Sequence, residues 1–379
     1  MKILLYSSVF WPSTGGVETI TATLAENIVR LGHECIVVTE TVIKKEDERL
    51  YKVIRKPSLK QRLILSKQCD LIHSNGASVA MFPFAKLNNK PFIWTHNGYQ
   101  ILCIDGLGWV DGEPAPMSPI KSLKYHFKKN GLKFVLKESV KLAVRRYVAN
   151  NVDLNIACSN WVAKRLQCKK QVVAYTPYSL SKFKSSQNNQ NFKYDFLYVG
   201  RLVSEKGVPD LIKAFHLLIS SSNYSNKTLA IVGDGNIRQS LENLVRERNL
   251  TSQVFFFGSK SGDELVKIIS NSQIAVVPSV WEEPYGGVTL ELLAAGKNLI
   301  VSECGGHAEC LGDAGLKFKN GDIQSLYQCM VKLLEDQSLA KQQIEKGASQ
   351  LKNFDEFELT KKYLKIYEEV IDSKLAQGS

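Results

Sequence analysis

Two cations stand five positions apart in Gly200-Arg201-Leu202-Val203-Ser204-Glu205-Lys206-Gly207, between an apolar run and a helical pattern. On one strand-to-helix loop both reach a single crevice. Arg grips phosphate oxygens through a planar fork, and Lys adds a compact charge. Fixed cations there favour a diphosphate whose charge grows as its bond breaks. The plain alternative is an exposed basic loop. A second constellation is Glu283-Pro284-Tyr285-Gly286-Gly287-Val288-Thr289-Leu290-Glu291. Two glycines at a helix start expose backbone amides to an anion. Two carboxylates eight positions apart accept hydrogen bonds from vicinal hydroxyls. Here the alternative is that both acids only complement the helix N-terminus.

Other motifs are thinner. Gly233-Asp234-Gly235 opens like a dinucleotide fingerprint but lacks the third glycine. Gly15-Gly16 follows the first apolar run and brings backbone near a phosphate. Cys304-Gly305-Gly306-His307-Ala308-Glu309-Cys310 has neither the spacing nor the fourth ligand of a zinc site. There is no Walker A sequence and no Asp-x-Asp, and no metal is expected.

The elements that must position these residues alternate between strand and helix, which predicts α/β architecture with parallel sheets. Strands are expected at Ile3–Ser7, Glu34–Thr39, Asp70–His73, Phe92–Thr95 and Leu154–Cys158, with a helix over Val17–Leu31. The pattern restarts after the polar stretch 179–193. Strands follow at Phe196–Val199, Thr228–Val232, Val254–Phe257, Ile274–Pro278 and Leu299–Ser302, with helices between them. The expected organisation is a Rossmann-like domain over 1–178, a linker over 179–193 and a second Rossmann-like domain over 194–355. A helix over 356–379 then packs across both. Residues 42–56 and 104–119 read as long loops, the latter a candidate lid on the acceptor side.

At 379 residues, two cores are expected. No apolar run reaches the roughly 18 residues that span a bilayer, and the first segment reads as a strand, so a cytoplasmic protein is expected. The eight cysteines are scattered and read as reduced thiols. The net charge of +12 is uneven: residues 1–180 hold 26 Lys/Arg against 13 Asp/Glu, the remainder 23 against 24. Residues 121–146 carry nine basic residues and one acid, Glu138. An anionic membrane surface or an acidic acceptor fits that run, and so does a plain solvated helix face. No nucleic-acid motif accompanies it.

Taken together, the chain resembles the retaining glycosyltransferases of the GT-B fold, in particular glycosyltransferase family 4. The resemblance runs from Gly15-Gly16 to the C-terminal helix and is densest over 196–315. Glu283-x7-Glu291, Gly200-Arg201-x4-Lys206-Gly207, Val232-Gly233-Asp234-Gly235, Phe257-Gly258 and Gly305-Gly306-x-x-Glu309 occur in the family's order. Where the family often carries Asn-Gly, this chain has Tyr175-Thr176-Pro177-Tyr178.

The resemblance implies two Rossmann-like domains facing across a cleft. It implies that Arg201 and Lys206 hold the donor diphosphate, Glu291 the ribose hydroxyls and Glu283 the sugar hydroxyls. The stretch Tyr285-Gly286-Gly287-Val288-Thr289 lies beside Glu283. Gly200 belongs to the same donor face, Gly258-Ser259-Lys260 flanks the base, and Gly16 touches the phosphate from the N-terminal side. His96 matches the family's histidine near the transferred sugar; without the resemblance a lone His after a strand reads as structural. The implied reaction moves a hexose from a UDP-sugar, such as UDP-glucose, to a polysaccharide or lipid-linked saccharide precursor. No cofactor is implied beyond the sugar nucleotide as co-substrate. A front-face mechanism is preferred to a covalent Glu283 intermediate. The rival readings are a UDP-sugar epimerase, a non-catalytic nucleotide-sugar binder and an NAD-dependent dehydrogenase. No role for His307 follows from the sequence.

Overall fold

Apolar runs without alternation build both sheets of the computed structural model, as expected for parallel strands covered on both faces. The structure describes residues 1–13, 15–43, 48–184 and 192–378. The chain divides into two units. One comprises Met1–Val110, Pro114–Ser179 and Phe354–Ser379, the other Asp111–Glu113 and Leu180–Asn353.

The first unit carries β1 (Lys2–Tyr6), β2 (Glu34–Thr39), β3 (Lys52–Arg55), β4 (Leu71–Asn75) and β5 (Phe92–His96). The two-residue strands β6 (Trp109–Val110) and β7 (Glu113–Pro114) form a separate small sheet. β8 (Leu154–Ala157) and β9 (Gln171–Val173) complete the main one. Its order is β3-β2-β1-β4-β5-β8-β9, all parallel. Leu4 sits opposite both Ile36 and Ile72. The helices are α1 (Gly16–Arg30), α2 (Leu59–Gln68), α3 (Phe82–Leu87), α4 (Pro119–Asn130), α5 (Leu132–Asn151) and α6 (Asn160–Leu166).

The second unit opens with the short α7 (Ser181–Lys184) and carries β10 (Tyr194–Val199), β11 (Leu229–Val232), β12 (Val254–Phe256), β13 (Ser272–Val277), β14 (Asn298–Ser302) and β15 (Leu316–Phe318). Their order, β12-β11-β10-β13-β14-β15, is that of a Rossmann sheet, and every pairing is parallel. Between them run α8 (Val208–Ile219), α9 (Arg238–Glu247), α10 (Gly262–Ser270), α11 (Gly287–Ala294) and α12 (Gly306–Leu311), and α13 (Ile323–Glu335) and α14 (Gln337–Gln350) follow β15. Phe196, Leu211, Phe215, Leu229, Ile274 and Phe318 are wholly or almost wholly buried in its core.

Several sequence expectations change. The loop expected over 42–56 contains β3, a charged edge strand whose Lys and Arg hid it; residues 44–47 lie outside the described residues. Of the linker expected over 179–193, Leu180 is buried and Ser181–Lys184 is helical, and 185–191 lie outside the described residues. The lid loop 104–119 holds β6 and β7. The last helix, α15 (Glu356–Gly378), was expected to pack across both domains. It groups with the first unit, where Tyr363, Leu364 and Tyr367 join the core beside Ile3, Leu24 and Val37. His73 on β4 ties it down, with Nδ1 2.7 Å from Tyr367 Oη and Nε2 2.7 Å from Thr95 Oγ1.

The basic run 121–146 forms α4 and α5. Along α5 the apolar residues Leu132, Leu136, Val140, Val144 and Tyr147 face solvent. Beside them, each one position on, run Lys133, Lys137, Lys141 and Arg145. Ile120 and Phe127 are likewise exposed on α4. An amphipathic helix normally turns its apolar stripe to the core; here that stripe is in water.

Candidate active site

Strand order in the second sheet reverses at β10: β11 and β12 lie on one side of it, β13 to β15 on the other. Ligands of open α/β sheets bind outside the carboxyl ends of the strands at such a point. Both segments singled out by chemistry leave the sheet there, one following β10 and one following β13.

Lys206 ends a 3₁₀ turn, Ser204–Lys206, and Gly207 redirects the chain into α8 with φ +67°. Only glycine serves at 207, because a Cβ would stand 1.9 Å from the Pro278 carbonyl oxygen. That close approach holds the β10 loop against the β13 loop. Val280 N–H donates to the Glu205 carbonyl at 3.1 Å. Across the contact, Lys206 Nζ donates to Glu283 Oε1 and stands 5.9 Å from the centre of the Trp281 ring.

Glu283 is buried. Ser279 Oγ donates to its Oε1 at 3.2 Å, and His307 Nε2 lies 3.6 Å from the same oxygen. Burial pushes the Glu283 carboxyl up, but the Lys206 charge and His307 outweigh it and hold the group well below the usual carboxylate range. It is therefore an ionised acceptor of hydrogen bonds and a poor proton carrier near neutrality. Arg201 contrasts with Lys206: its side chain is 70% exposed, with Glu205 3.7 Å away.

His307 is the residue that sequence reasoning missed. It lies in the first turn of α12, buried, with Nδ1 2.9 Å from Thr289 Oγ1. Its place inside the Gly305-Gly306 loop was visible; its partners were not, because Glu283 and Thr289 come from the β13–α11 segment. The glycines bring it there. Gly305 pairs with Glu283 in a parallel bridge, and Gly306 N–H donates to the Glu283 carbonyl at 2.6 Å. A Cβ on Gly306 would lie 2.6 Å from Tyr285 Cα. Gly286 is needed for the same packing, with Cys310 Cβ 2.9 Å from where its own Cβ would be. The sequence argument had assigned that glycine to ligand approach alone.

The remaining predicted residues occupy neighbouring loops. Gly287, Val288 and Thr289 form the first turn of α11, and Glu291 stands half-buried in its second. Gly200 follows β10 with φ +156°, and Gly258 follows β12 with φ +69°, its carbonyl accepting from Gly233 N–H at 2.9 Å. Ser259 is exposed, and Lys260 Nζ lies 3.3 Å from the Glu264 carboxylate. Among the described residues, no three His, Cys, Asp or Glu side chains group to hold a metal ion.

Gly16 and His96 belong to the first unit. Gly16 opens α1 after an extended Gly15. His96 is buried, Nε2 is 2.8 Å from Asn155 Oδ1, and its ring centre is 4.3 Å from that of Trp94. Burial lowers its pKa to about 4, so the ring is neutral at ordinary pH.

The fold and site thus define a protein of two Rossmann-like units, one with a charged crevice built at its switch point. The model of the Glycosyltransferase Family 4 matches residues 14–174, and that of the Glycosyl transferases group 1 matches residues 181–350. An uncharacterized glycosyltransferase of Methanocaldococcus jannaschii is 26% identical over 98% of this chain and 99% of its own length. A second from that organism is 36% identical, over 34% of this chain and 32% of its own length. The crystal structure of Anabaena HepE in complex with UDP and glucose shares the fold, with a TM-score of 0.73 at 18% identity over 97% of this chain and 99% of that one. The chain belongs to the group 1 glycosyltransferases.

Proposed function

We propose that this protein transfers a hexose from a nucleoside-diphosphate sugar to a hydroxyl of a polysaccharide or lipid-linked saccharide precursor, with retention of configuration and without a metal. The carrying observation is the pairing of Lys206 with buried Glu283 at the switch point, beside the solvent-facing Arg201. In this reading Arg201 and Lys206 hold the diphosphate, Glu291 the ribose hydroxyls and Glu283 the hydroxyls of the sugar. The α11 start, with Tyr285 before it, lies along the donor. Gly200, Gly258, Ser259 and Lys260 line the nucleoside side. UDP and glucose in the HepE structure support a UDP-hexose donor.

A carboxylate held by Lys206 and Ser279 at one oxygen is a poor nucleophile and a good hydrogen-bond acceptor. That supports positioning over covalent catalysis. The bond from the anomeric carbon to the phosphate oxygen breaks as the acceptor oxygen bonds on the same face. The acceptor's proton passes to the departing phosphate, whose charge the two cations stabilise. Isolation of a glycosyl–Glu283 adduct would overturn this step.

The first experiment is a thermal-shift and calorimetry panel of UDP, GDP, ADP and their sugar conjugates on the wild type and Lys206→Ala. One nucleotide must raise the melting temperature, and the variant must lose that shift. No shift with any nucleotide sinks the donor reading. Turnover of a UDP-sugar with no acceptor present would favour an epimerase instead.

The exposed α4–α5 stripes support a position on an anionic membrane surface: apolar side chains insert and the adjoining cations meet lipid phosphates. Phosphatidylglycerol vesicles should float the protein at low salt and phosphatidylcholine vesicles should not. No flotation with either ends the membrane reading.

A further inference from the structure

The first sheet has its own switch point, where β1 and β4 are neighbours with β2 and β3 to one side and β5 to the other. A cavity of about 370 Å³ lies there, bounded by Ser8 after β1, residues 77–80 after β4, and Lys141 and Arg145 on α5. Nothing in the donor chemistry above uses it.

Its two cations differ. Lys141 Nζ pairs with Glu138 at 2.7 Å. Arg145 is half-buried, flanked in the wall by Val140 and Val144. Among the described residues it makes no hydrogen bond and no ion pair within 4 Å, and Glu138 acts on it only through space. Burial lowers its pKa from the ordinary guanidinium value. A desolvated guanidinium without a carboxylate is costly, and a bound oxyanion supplies the missing partner.

We propose that this cavity is an anion site for the acceptor. It receives the phosphate or diphosphate group on which the acceptor saccharide is carried, Arg145 as a bidentate donor and Lys141 as a second charge. The assignment to the acceptor rests on the transferase reading; the binding of an oxyanion does not. Val140 and Val144, which line the cavity, also belong to the exposed apolar stripe of α5. A hydrocarbon chain attached to the phosphate would lie along that stripe.

Calorimetric titration of inorganic pyrophosphate tests this. The wild type should show two classes of site, one lost in Lys206→Ala and one retained. In the Lys206→Ala background, Arg145→Gln should weaken the retained site roughly 10- to 100-fold, the worth of a charge-assisted hydrogen bond. Ala77→Leu, which fills the cavity and leaves every charge in place, should weaken it too; far-ultraviolet dichroism establishes that both variants fold. Retained-site binding that Arg145→Gln and Ala77→Leu leave unchanged overturns the proposal, as does its absence in Lys206→Ala. If Lys206→Ala loses no site, the donor assignment fails and the cavity stands. Farnesyl diphosphate separates the sources. Tighter binding than pyrophosphate at the Arg145 site marks a lipid-borne acceptor, and equal binding marks a soluble phosphorylated one.

Discussion

His307 Nε2 lies 3.6 Å from Glu283 Oε1 while its Nδ1 lies 2.9 Å from Thr289 Oγ1. If the threonine hydroxyl donates to Nδ1, the imidazole proton sits on Nε2 and faces the carboxylate. His307 is then a positioning residue whose Nε2–H faces the Glu283 carboxylate, 3.6 Å away. Thr289→Val should free Nδ1 to carry the proton and turn a bare Nε2 lone pair on Glu283. We expect His307→Ala and Thr289→Val each to lower kcat/KM about tenfold, near the worth of one such hydrogen bond. Thr289→Ser should restore the rate. Equal rates for Thr289→Val and Thr289→Ser would rule out the tautomer argument.

Lys206→Ala leaves Glu283 buried without its cation. Breaking one side of a buried pair costs on the order of 3–5 kcal/mol. Adding Glu283→Gln removes the stranded charge and should recover a good part of that loss in urea unfolding, while donor binding stays lost. A double variant no more stable than Lys206→Ala would show that the pair contributes little to the fold.

Arg201 separates chemistry from stability. Its exposed side chain supports no packing, so Arg201→Gln should leave the urea midpoint within about 0.5 kcal/mol of the wild type. Transfer should slow roughly 100-fold if the guanidinium meets the transition-state charge. A normal transfer rate would remove Arg201 from the site.

Burial lowers the pKa of His73 to about 3 and that of His96 to about 4, from 6.5. The unfolded chain binds these protons below pH 6.5 and the folded chain does not. Stability is therefore greatest above pH 6.5 and falls toward pH 4, by about 1.4 kcal/mol per pH unit for each ring. Below the ordinary Glu value of 4.5, the depressed pKa of Glu283 adds a loss of the same sign. Urea midpoints measured across this range check the slope; midpoints flat between pH 6.5 and 4.5 contradict it.

The strands and the two loops that follow β10 and β13 were legible because each depends on local sequence. Ile3–Tyr6 and Phe196–Val199 are unbroken apolar runs, and the cations and carboxylates stand directly after such runs. What escaped depends on contacts far along the chain. β3 is an edge strand whose two apolar residues, Val53 and Ile54, stand between charged ends. His307 acquires its role from Thr289 and Glu283. Arg145 looks like any helix cation until β1 and β4 are placed opposite it. The stripe on α5 has core-like spacing, and only the structure shows that it faces water.

The chain leaves the first unit after Ser179 and returns to it at Phe354. Tyr363 and Tyr367, buried in that unit's core, are made only after the whole of the second unit. Of these two units, the one begun first is thus completed second. During synthesis His73 and Thr95 wait without the tyrosine hydroxyl that completes their network, while the intervening unit, made from one nearly continuous segment, can close on its own. A stop codon shortly after position 353 would therefore damage the unit whose sheet is encoded upstream of it.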